Sequence, residues 1–210
     1  MLAGTKTLKA FVLSLSLAAV FAVARAEILS SEESHCVAYK TRKTLFLVRS
    51  VDVVGKNCQV SSQVLPELGG RYLIEVRIQA GAFESGESER DRDVVKILKA
   101  DKFQELIFRT SAWPSLQWEQ LFRQSNFVLG GELTIAGAAH PVQASVRLMR
   151  SGQAVVASGV ITTQFKELGI EPPKLGMGIL AQVKDKLELH FQLRGDKTLG
   201  IDSLLDSEPN

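Results

Sequence analysis

The sequence is poor in the residues that build catalytic and metal sites. It holds three histidines, His35, His140 and His190, and none of them belongs to a recognisable motif. It contains no G-x-S-x-G nucleophile elbow, no H-E-x-x-H zinc motif and no C-x-x-C-H haem-attachment motif. The sequence therefore predicts no catalytic residue, no metal site and no cofactor. An enzyme is the least favoured alternative, and an activity lost on changing His140 or His190 would revive it.

The chain also lacks an apolar run long enough to cross a bilayer as a helix. Residues 10–23 are mostly apolar, whereas a span needs roughly 20 such residues. Two lysines precede this run and Ala24-Arg25-Ala26 follows it, which is the pattern of a cleaved secretory signal. We therefore expect a signal peptide at 1–26, export to the periplasm, and no stable membrane span after cleavage. An uncleaved membrane anchor is the alternative.

Clustered positive charge is absent as well. Cleavage after Ala26 would remove Lys6, Lys9 and Arg25 from the 25 basic residues, leaving 22 against 23 acidic ones. Because tight nucleic-acid binding needs a basic stripe to displace counterions, we expect no nucleic-acid partner. The oligomeric state is undecided, and a homodimer remains open.

Cysteine is scarce, but both copies, Cys36 and Cys58, lie in the part of the chain expected to be exported. An even number of cysteines in an oxidising compartment favours a disulfide. A metal pair is the poorer interpretation, since no C-x-x-C spacing or histidine pair accompanies them. We predict a Cys36–Cys58 disulfide and no metal.

What the mature chain does contain is alternation of apolar and polar residues with a period of two, which is typical of strands with one dry face. It occurs in three clear runs. The apolar faces of these runs are Tyr72, Ile74, Val76 and Ile78; Val142, Ala144, Val146 and Leu148; and Leu187, Leu189, Phe191 and Leu193.

Further strands are predicted at Thr44–Val54, Cys58–Leu65, Glu105–Ser111, Phe127–Ile135 and Gln153–Phe165, which makes about eight. Turns are predicted at Ser151-Gly152 and at residues 136–139. Short turns between neighbouring strands indicate an all-β antiparallel sandwich or up-and-down barrel. We expect a single domain at 27–210, with a frayed tail after Arg194.

Two segments break the alternation and predict short helices, at Ser88–Ala100 and Trp113–Gln124. The charged run before and within the first helix, residues 83–93, does not space oxygen ligands as a metal loop would. The structural interpretation is that Gly86 makes a turn, Ser88 caps the helix, and the arginines and aspartates form ion pairs.

Three stretches resemble one family in order along the chain. GAFESGESERDRDVVKILKADKF, GELTIAGAAHPVQASVRL, and FKELGI followed by VKDKLELHFQL are similar to the motifs of YceI-like domains. The resemblance covers about Val51 to Leu193. The chain departs from the family pattern between Cys36 and Cys58, at Asp93, where many members have His, and at Trp113–Gln124, which resembles an insertion. It is therefore identified as a divergent member.

The resemblance implies a lipocalin-like antiparallel barrel in the periplasm. It also implies that the barrel binds or carries a long-chain apolar ligand such as a polyisoprenoid, an isoprenoid quinone or a fatty amide. We predict that the helix at Trp113–Gln124 forms one lip of the cavity through Trp113, Trp118 and Phe122. The predicted ligand-binding residues of the interior are Tyr72, Ile74, Val76, Ile78, Leu133, Ile135, Val146, Leu148, Leu187, Leu189 and Phe191.

Sequence periodicity does not separate an empty barrel from one filled by its own side chains. The alternative function is therefore a filled barrel that serves as a structural or protein-interaction module in the bacterial cell envelope. The two differ in one observable, because only a carrier brings a stoichiometric lipid through purification.

Overall fold

A computed structural model describes residues 28–29, 35–45, 49–151, 154–175, 181–201 and 204. The predicted signal peptide at 1–26 and half of the predicted tail, residues 202, 203 and 205–210, lie outside the described residues. Among the described residues, no helix is long and apolar enough to cross a membrane.

Strands dominate the described chain, and twelve of them form one sheet. The two helices are α1 (Ser88–Ile97) and α2 (Ser115–Phe122). The strands are β1 (Cys36–Leu45), β2 (Arg49–Asn57), β3 (Val60–Glu67), β4 (Arg71–Gln79), β5 (Glu105–Thr110), β6 (Trp113–Pro114), β7 (Asn126–Ile135), β8 (Ala138–Ser151), β9 (Ala154–Gln164), β10 (Lys174–Leu175), β11 (Ala181–Arg194) and β12 (Thr198–Leu199).

The order of the strands requires the sheet to curl. It runs β12-β3-β4-β5-β7-β8-β9-β11-β1-β2, with antiparallel pairing throughout except for the parallel pair β12–β3. β2 ends this order and β3 lies next to its other end, beside the two-residue β12, yet only Cys58 and Gln59 separate β2 from β3 in the chain. Three peptide links span at most about 11 Å, so the two ends of the sheet must meet. The predicted all-β, lipocalin-like class is therefore confirmed.

Side-chain and loop contacts close this seam. Asn57 Nδ2 donates a hydrogen bond to the carbonyl oxygen of Gln79 at 2.7 Å. Lys56 and Glu84 exchange two backbone hydrogen bonds of 2.8 Å. The predicted Cys36–Cys58 disulfide is confirmed, and it ties the start of β1 to the β2–β3 junction. The seam is thus fastened at one point rather than by a continuous ladder.

The prediction of about eight strands omitted most of β1 and the two-residue strands β6, β10 and β12, and it was wrong about one continuous strand. The structure divides the predicted strand at Thr44–Val54 between the end of β1 and most of β2, which pair as a hairpin from Val37↔Asn57 to Leu45↔Arg49. Residues 46–48, between the two strands, lie outside the described residues. The apolar run at 45–48 favoured a continuous strand, and nothing in its composition predicted a turn.

The turns and the helix start also differ in detail from the predictions. Ser151 belongs to β8 and pairs with Ala154, so the connection is shifted by one residue from the predicted Ser151-Gly152. The N-cap of α1 is Glu87 rather than the predicted Ser88, and it makes no side-chain capping bond. Asp91 instead accepts a hydrogen bond from the backbone N–H of Ser85 at 3.0 Å. Gly86 does make a turn, with φ of 78°.

Candidate ligand-binding site

The inward face of the curled sheet encloses two adjoining apolar chambers. The inner chamber has a volume of about 140 Å³ and the outer chamber about 170 Å³. Four side chains border both chambers and form the junction between them: Tyr39, Phe83, Leu106 and Leu189. The two chambers are therefore one elongated site with a waist.

The inner chamber lies where several strands turn their apolar faces inward. Val76 and Ile78 come from β4, and both are buried. Phe108 of β5, Leu133 of β7 and Val146 of β8 continue the wall around the barrel. Because successive side chains of a strand point to opposite faces, these apolar residues point into the barrel while their neighbours in the sequence point outward. The chamber wall is therefore almost wholly hydrocarbon.

Helix α1 lies over the outer chamber. Val94 and Ile97 of this helix face the chamber together with Phe165 and Leu187. α1 has no fully buried residue, and it packs against the core only through the partly buried Val94 and Ile97. The charged side chains that border this chamber are Lys43, Glu87, Glu89, Arg90 and Asp93.

Tyr39 forms the waist between the chambers. Its ring lies 5.6 Å from the ring of Phe83, centroid to centroid. On its other side it lies against Gly55, where an added Cβ would come within 2.6 Å of the phenol oxygen. Only a glycine leaves room for the ring there. Burial raises the pKa of Tyr39, so the phenol stays neutral at the waist.

Helix α2 lies at the inner chamber. Trp118 is fully buried, and its indole N–H donates to the carbonyl oxygen of Tyr72 at 2.9 Å. Its ring packs against Trp113 and Phe122, at centroid distances of 5.2 and 5.6 Å. Trp118 and Phe122 line the inner chamber, whereas Trp113 stacks behind Trp118.

The predicted interior residues fall into three groups. Tyr72 lines neither chamber; it packs against the core from β4. Ile135 and Leu187 line the outer chamber. The residues that line the inner chamber are Ile74, Val76, Ile78, Leu133, Val146, Leu148, Leu189 and Phe191, and Leu189 also borders the outer one. Whether these residues contact a ligand stays a prediction.

Several lining residues were not predicted. Tyr39 and Thr41 lie on β1, which the sequence pattern did not reveal, because Lys40 and Arg42 alternate with them in a strongly charged stretch. Phe165 is the last residue of the predicted strand Gln153–Phe165, and Ile170 follows the 3-10 turn at Lys166–Leu168, where the sequence has no strand periodicity. Phe108 could have been found, since it lies within the predicted strand Glu105–Ser111.

The three histidines lie apart from one another and from any cluster of acids or cysteines. His35 is buried, and its Nδ1 accepts a hydrogen bond from the backbone N–H of Arg194 at 3.2 Å. Burial, with Lys197 nearby, lowers the pKa of His35. Within the described residues, no group of three or more His, Cys, Asp or Glu side chains is placed to hold a metal ion.

Comparison with known proteins agrees with this architecture. A sequence model of the YceI-like domain matches residues 32–194. The chain resembles three solved structures, each with a TM-score of 0.53. Burkholderia cenocepacia BcnA is 18% identical, and the match covers 73% of this chain and 94% of that one. The Campylobacter jejuni YceI protein is 13% identical, with 70% and 86% covered, and a polyisoprenoid-binding domain from Saccharophagus degradans is 9% identical, with 74% and 91% covered. No curated protein matches the sequence.

The identities to the solved structures are low, and the likeness to them concerns the fold alone. The family match covers well over half of the chain and includes all three motif stretches. The chain therefore belongs to the YceI-like domain family.

Proposed function

We propose that this protein is a periplasmic binding or carrier protein for a long-chain apolar ligand: a polyisoprenoid, an isoprenoid quinone or a fatty amide. The observation that carries the proposal is the pair of joined apolar chambers inside the barrel. Burial of hydrocarbon contributes roughly 25 cal/mol per Å², so a chain gains affinity there with few polar contacts. The solved polyisoprenoid-binding domain with the same fold supports the choice of ligand.

The dimensions of the site favour a narrow, flexible ligand. Each chamber, at about 140 and 170 Å³, is close in volume to the roughly 150 Å³ apolar cavity that admits benzene. A methyl-branched or straight chain can pass the Tyr39 waist one segment at a time and so occupy both chambers. Export to the periplasm is supported by the signal-like pattern at residues 1–26. The proposal involves binding and no catalytic step.

The proposal is tested by filling the chambers with larger side chains. Val76→Trp obstructs the inner chamber and Leu189→Trp obstructs the waist. Binding is measured with N-phenyl-1-naphthylamine, a neutral dye that fluoresces in apolar surroundings, and with its displacement by a polyprenol. We expect each variant to bind at least about tenfold more weakly than the wild type, a loss of roughly 1.4 kcal/mol.

The matched control is Val128→Trp, since Val128 is 59% exposed on the outer face of β7. It should bind as the wild type does. Circular dichroism checks that each variant is folded. Undiminished binding in folded V76W and L189W would show that the ligand does not occupy these chambers.

The small volume of each chamber also favours a second candidate, the filled barrel acting as an interaction module in the cell envelope. A filled barrel would bind neither the dye nor the polyprenol, and protein purified from its own periplasm would release no stoichiometric lipid on solvent extraction.

A further inference from the structure

The inner chamber continues, at the end of the barrel where α2 lies, into a groove of about 480 Å³. The two share wall residues: Ile74, Phe122, Leu148, Ala157 and Leu193. A chain lying in the inner chamber would therefore reach the groove without leaving an apolar surface. The groove is the mouth of the inner chamber on this side.

Three arginines border this mouth, and we name it the arginine groove: Arg123, Arg150 and Arg194. Arg123 follows α2, Arg150 lies near the end of β8, and Arg194 ends β11. Among the described residues that line the groove, there is no Asp or Glu. The groove thus concentrates positive charge above a hydrocarbon floor.

The three guanidinium groups differ in what they bind. Arg194 is held by Asp196, with hydrogen bonds of 2.9 and 2.8 Å to its two carboxylate oxygens. Neither Arg123 nor Arg150 makes a side-chain hydrogen bond or ion pair within the described part of the chain. Both are exposed, so their donors are available to a ligand.

The opposite mouth, over the outer chamber, has a different charge. There Glu87, Glu89 and Asp93 form ion pairs with Arg90, Arg92 and Lys96 of the same helix segment, so acids and bases balance. The arginine groove, in contrast, has an excess of positive charge that attracts an anionic group. The two ends of the elongated site are therefore distinct, and the charges set a direction for an amphiphilic ligand.

We propose that the ligand carries an anionic oxygen head group, which the arginine groove binds through Arg123 and Arg150 while the apolar chain enters the inner chamber. The inference rests on the proposed function and adds the chemistry of the head group to it. Guanidinium groups suit this role because they donate paired hydrogen bonds to phosphate and carboxylate oxygens. The apolar floor strengthens the attraction, since it holds water away from one side of the ions.

The test compares two probes with the same chain, dodecyl phosphate and dodecanol, each used to displace N-phenyl-1-naphthylamine from the protein. We expect the wild type to prefer the phosphate by about tenfold or more, as one or two charge-assisted hydrogen bonds imply. In Arg123→Gln/Arg150→Gln the ratio of the two affinities should fall to about one. Raising the salt concentration should reduce the wild-type preference, because the groove is open to solvent.

The control is Lys102→Gln/Arg147→Gln, which removes the same charge from exposed positions that line neither mouth; it should keep the wild-type ratio. Equal affinities for the two probes in the wild type, or an unchanged ratio in the groove variant, would overturn the inference and leave the carrier function standing. Failure of the dye and of both probes to bind would instead contradict the carrier function itself.

Discussion

At the scale of single residues, glycine permits aromatic rings to lie flat against the inside of the sheet. Tyr39 covers Gly55, Phe191 covers Gly159 on the neighbouring strand, and the Phe108 ring covers Gly131. A side chain at any of these glycines would occupy the space of the ring. The rings that shape the chambers therefore depend on residues that have no side chain.

Gly159→Ala tests this dependence. An added Cβ would overlap the carbonyl oxygen of Ser145 and lie 2.5 Å from the Phe191 ring. Overpacking of this kind costs about 1–3 kcal/mol, and we expect the free energy of unfolding in urea to fall by that amount. Gly130→Ala on β7 is the control, because its nearest neighbour would be Ser111 Oγ at 3.9 Å. Equal stability of the two variants would contradict the account.

Glu75 is a buried carboxylate on the outer face of β4, with none of its side chain exposed. It accepts hydrogen bonds from Gln63 Nε2 at 2.9 Å, Arg77 Nε at 2.7 Å and Arg109 Nε at 2.7 Å. Burial alone would raise the pKa of Glu75, but these donors outweigh it and the net pKa lies below its ordinary value. The alternation in β4 predicted that Glu75 points outward and gave no sign that it is covered.

Glu75→Gln should lower the free energy of unfolding at pH 7 by about 2 kcal/mol, because two guanidinium groups lose their carboxylate. The folded-state pKa is depressed, so the contribution is complete above the unfolded pKa of about 4.3 and is lost as the pH falls through the folded pKa. The deficit should therefore shrink below about pH 4. Urea titrations over pH measure it, with Glu132→Gln, an exposed site, as the control. A deficit independent of pH would refute this interpretation.

At the scale of secondary-structure elements, the disulfide fastens the seam where the two ends of the sheet meet. Cys36 begins β1, and Cys58 lies between β2 and β3, with a sequence separation of 22. The bond thus restrains both edges of the barrel as well as the unfolded chain.

Cys36→Ala/Cys58→Ala should lower the free energy of unfolding by about 3 kcal/mol, the loop-closure contribution for a loop of this length. Dithiothreitol should lower the stability of the wild type by a similar amount and leave the double variant unchanged. Equal denaturant midpoints for the oxidised and reduced wild type would contradict this role.

Helix α1 is the least firmly packed element over the site. It has no buried residue, and Asp91 links its first turn to Ser85. Asp91→Ala should increase amide exchange in α1 by roughly fivefold, as the loss of one capping-type bond of about 1 kcal/mol implies, and leave β8 unchanged. Hydrogen-exchange mass spectrometry measures both elements. Asp93→Ala removes the same charge without this bond, and an equal effect from it would argue against the link.

Much of the fold could be predicted from period-two alternation, and the omissions have physical causes. β4, β8 and β11 alternate apolar and mostly polar residues, so their pattern is clear in the sequence, although Leu73 and Glu75 on the outer face of β4 are also buried. On β1 the inward positions include Thr41 and Lys43 at the charged outer mouth, and the alternation is lost there. Contacts between residues far apart in the chain, such as those of β2 with Gln79 and Glu84, could not be predicted, because no local sequence pattern indicates them.

At the scale of the whole molecule, one curled sheet gives an elongated apolar site with two unlike mouths. α1 and a set of paired acidic and basic side chains lie at one mouth, and the arginine groove lies at the other. This arrangement accounts for the scarcity of chemical motifs in the sequence, because a site that recognises hydrocarbon needs shape and few polar groups. In the proposed carrier, the waist and the mouths determine which ligand is accepted.

The central claim is that the barrel carries a long-chain lipid, and native mass spectrometry of the protein purified from its own periplasm tests it most directly. We predict a stoichiometric adduct of several hundred daltons, released by organic extraction and identified as a long-chain lipid. A clean apo mass that persists when polyprenols and quinones are supplied would contradict the carrier function and favour the filled barrel.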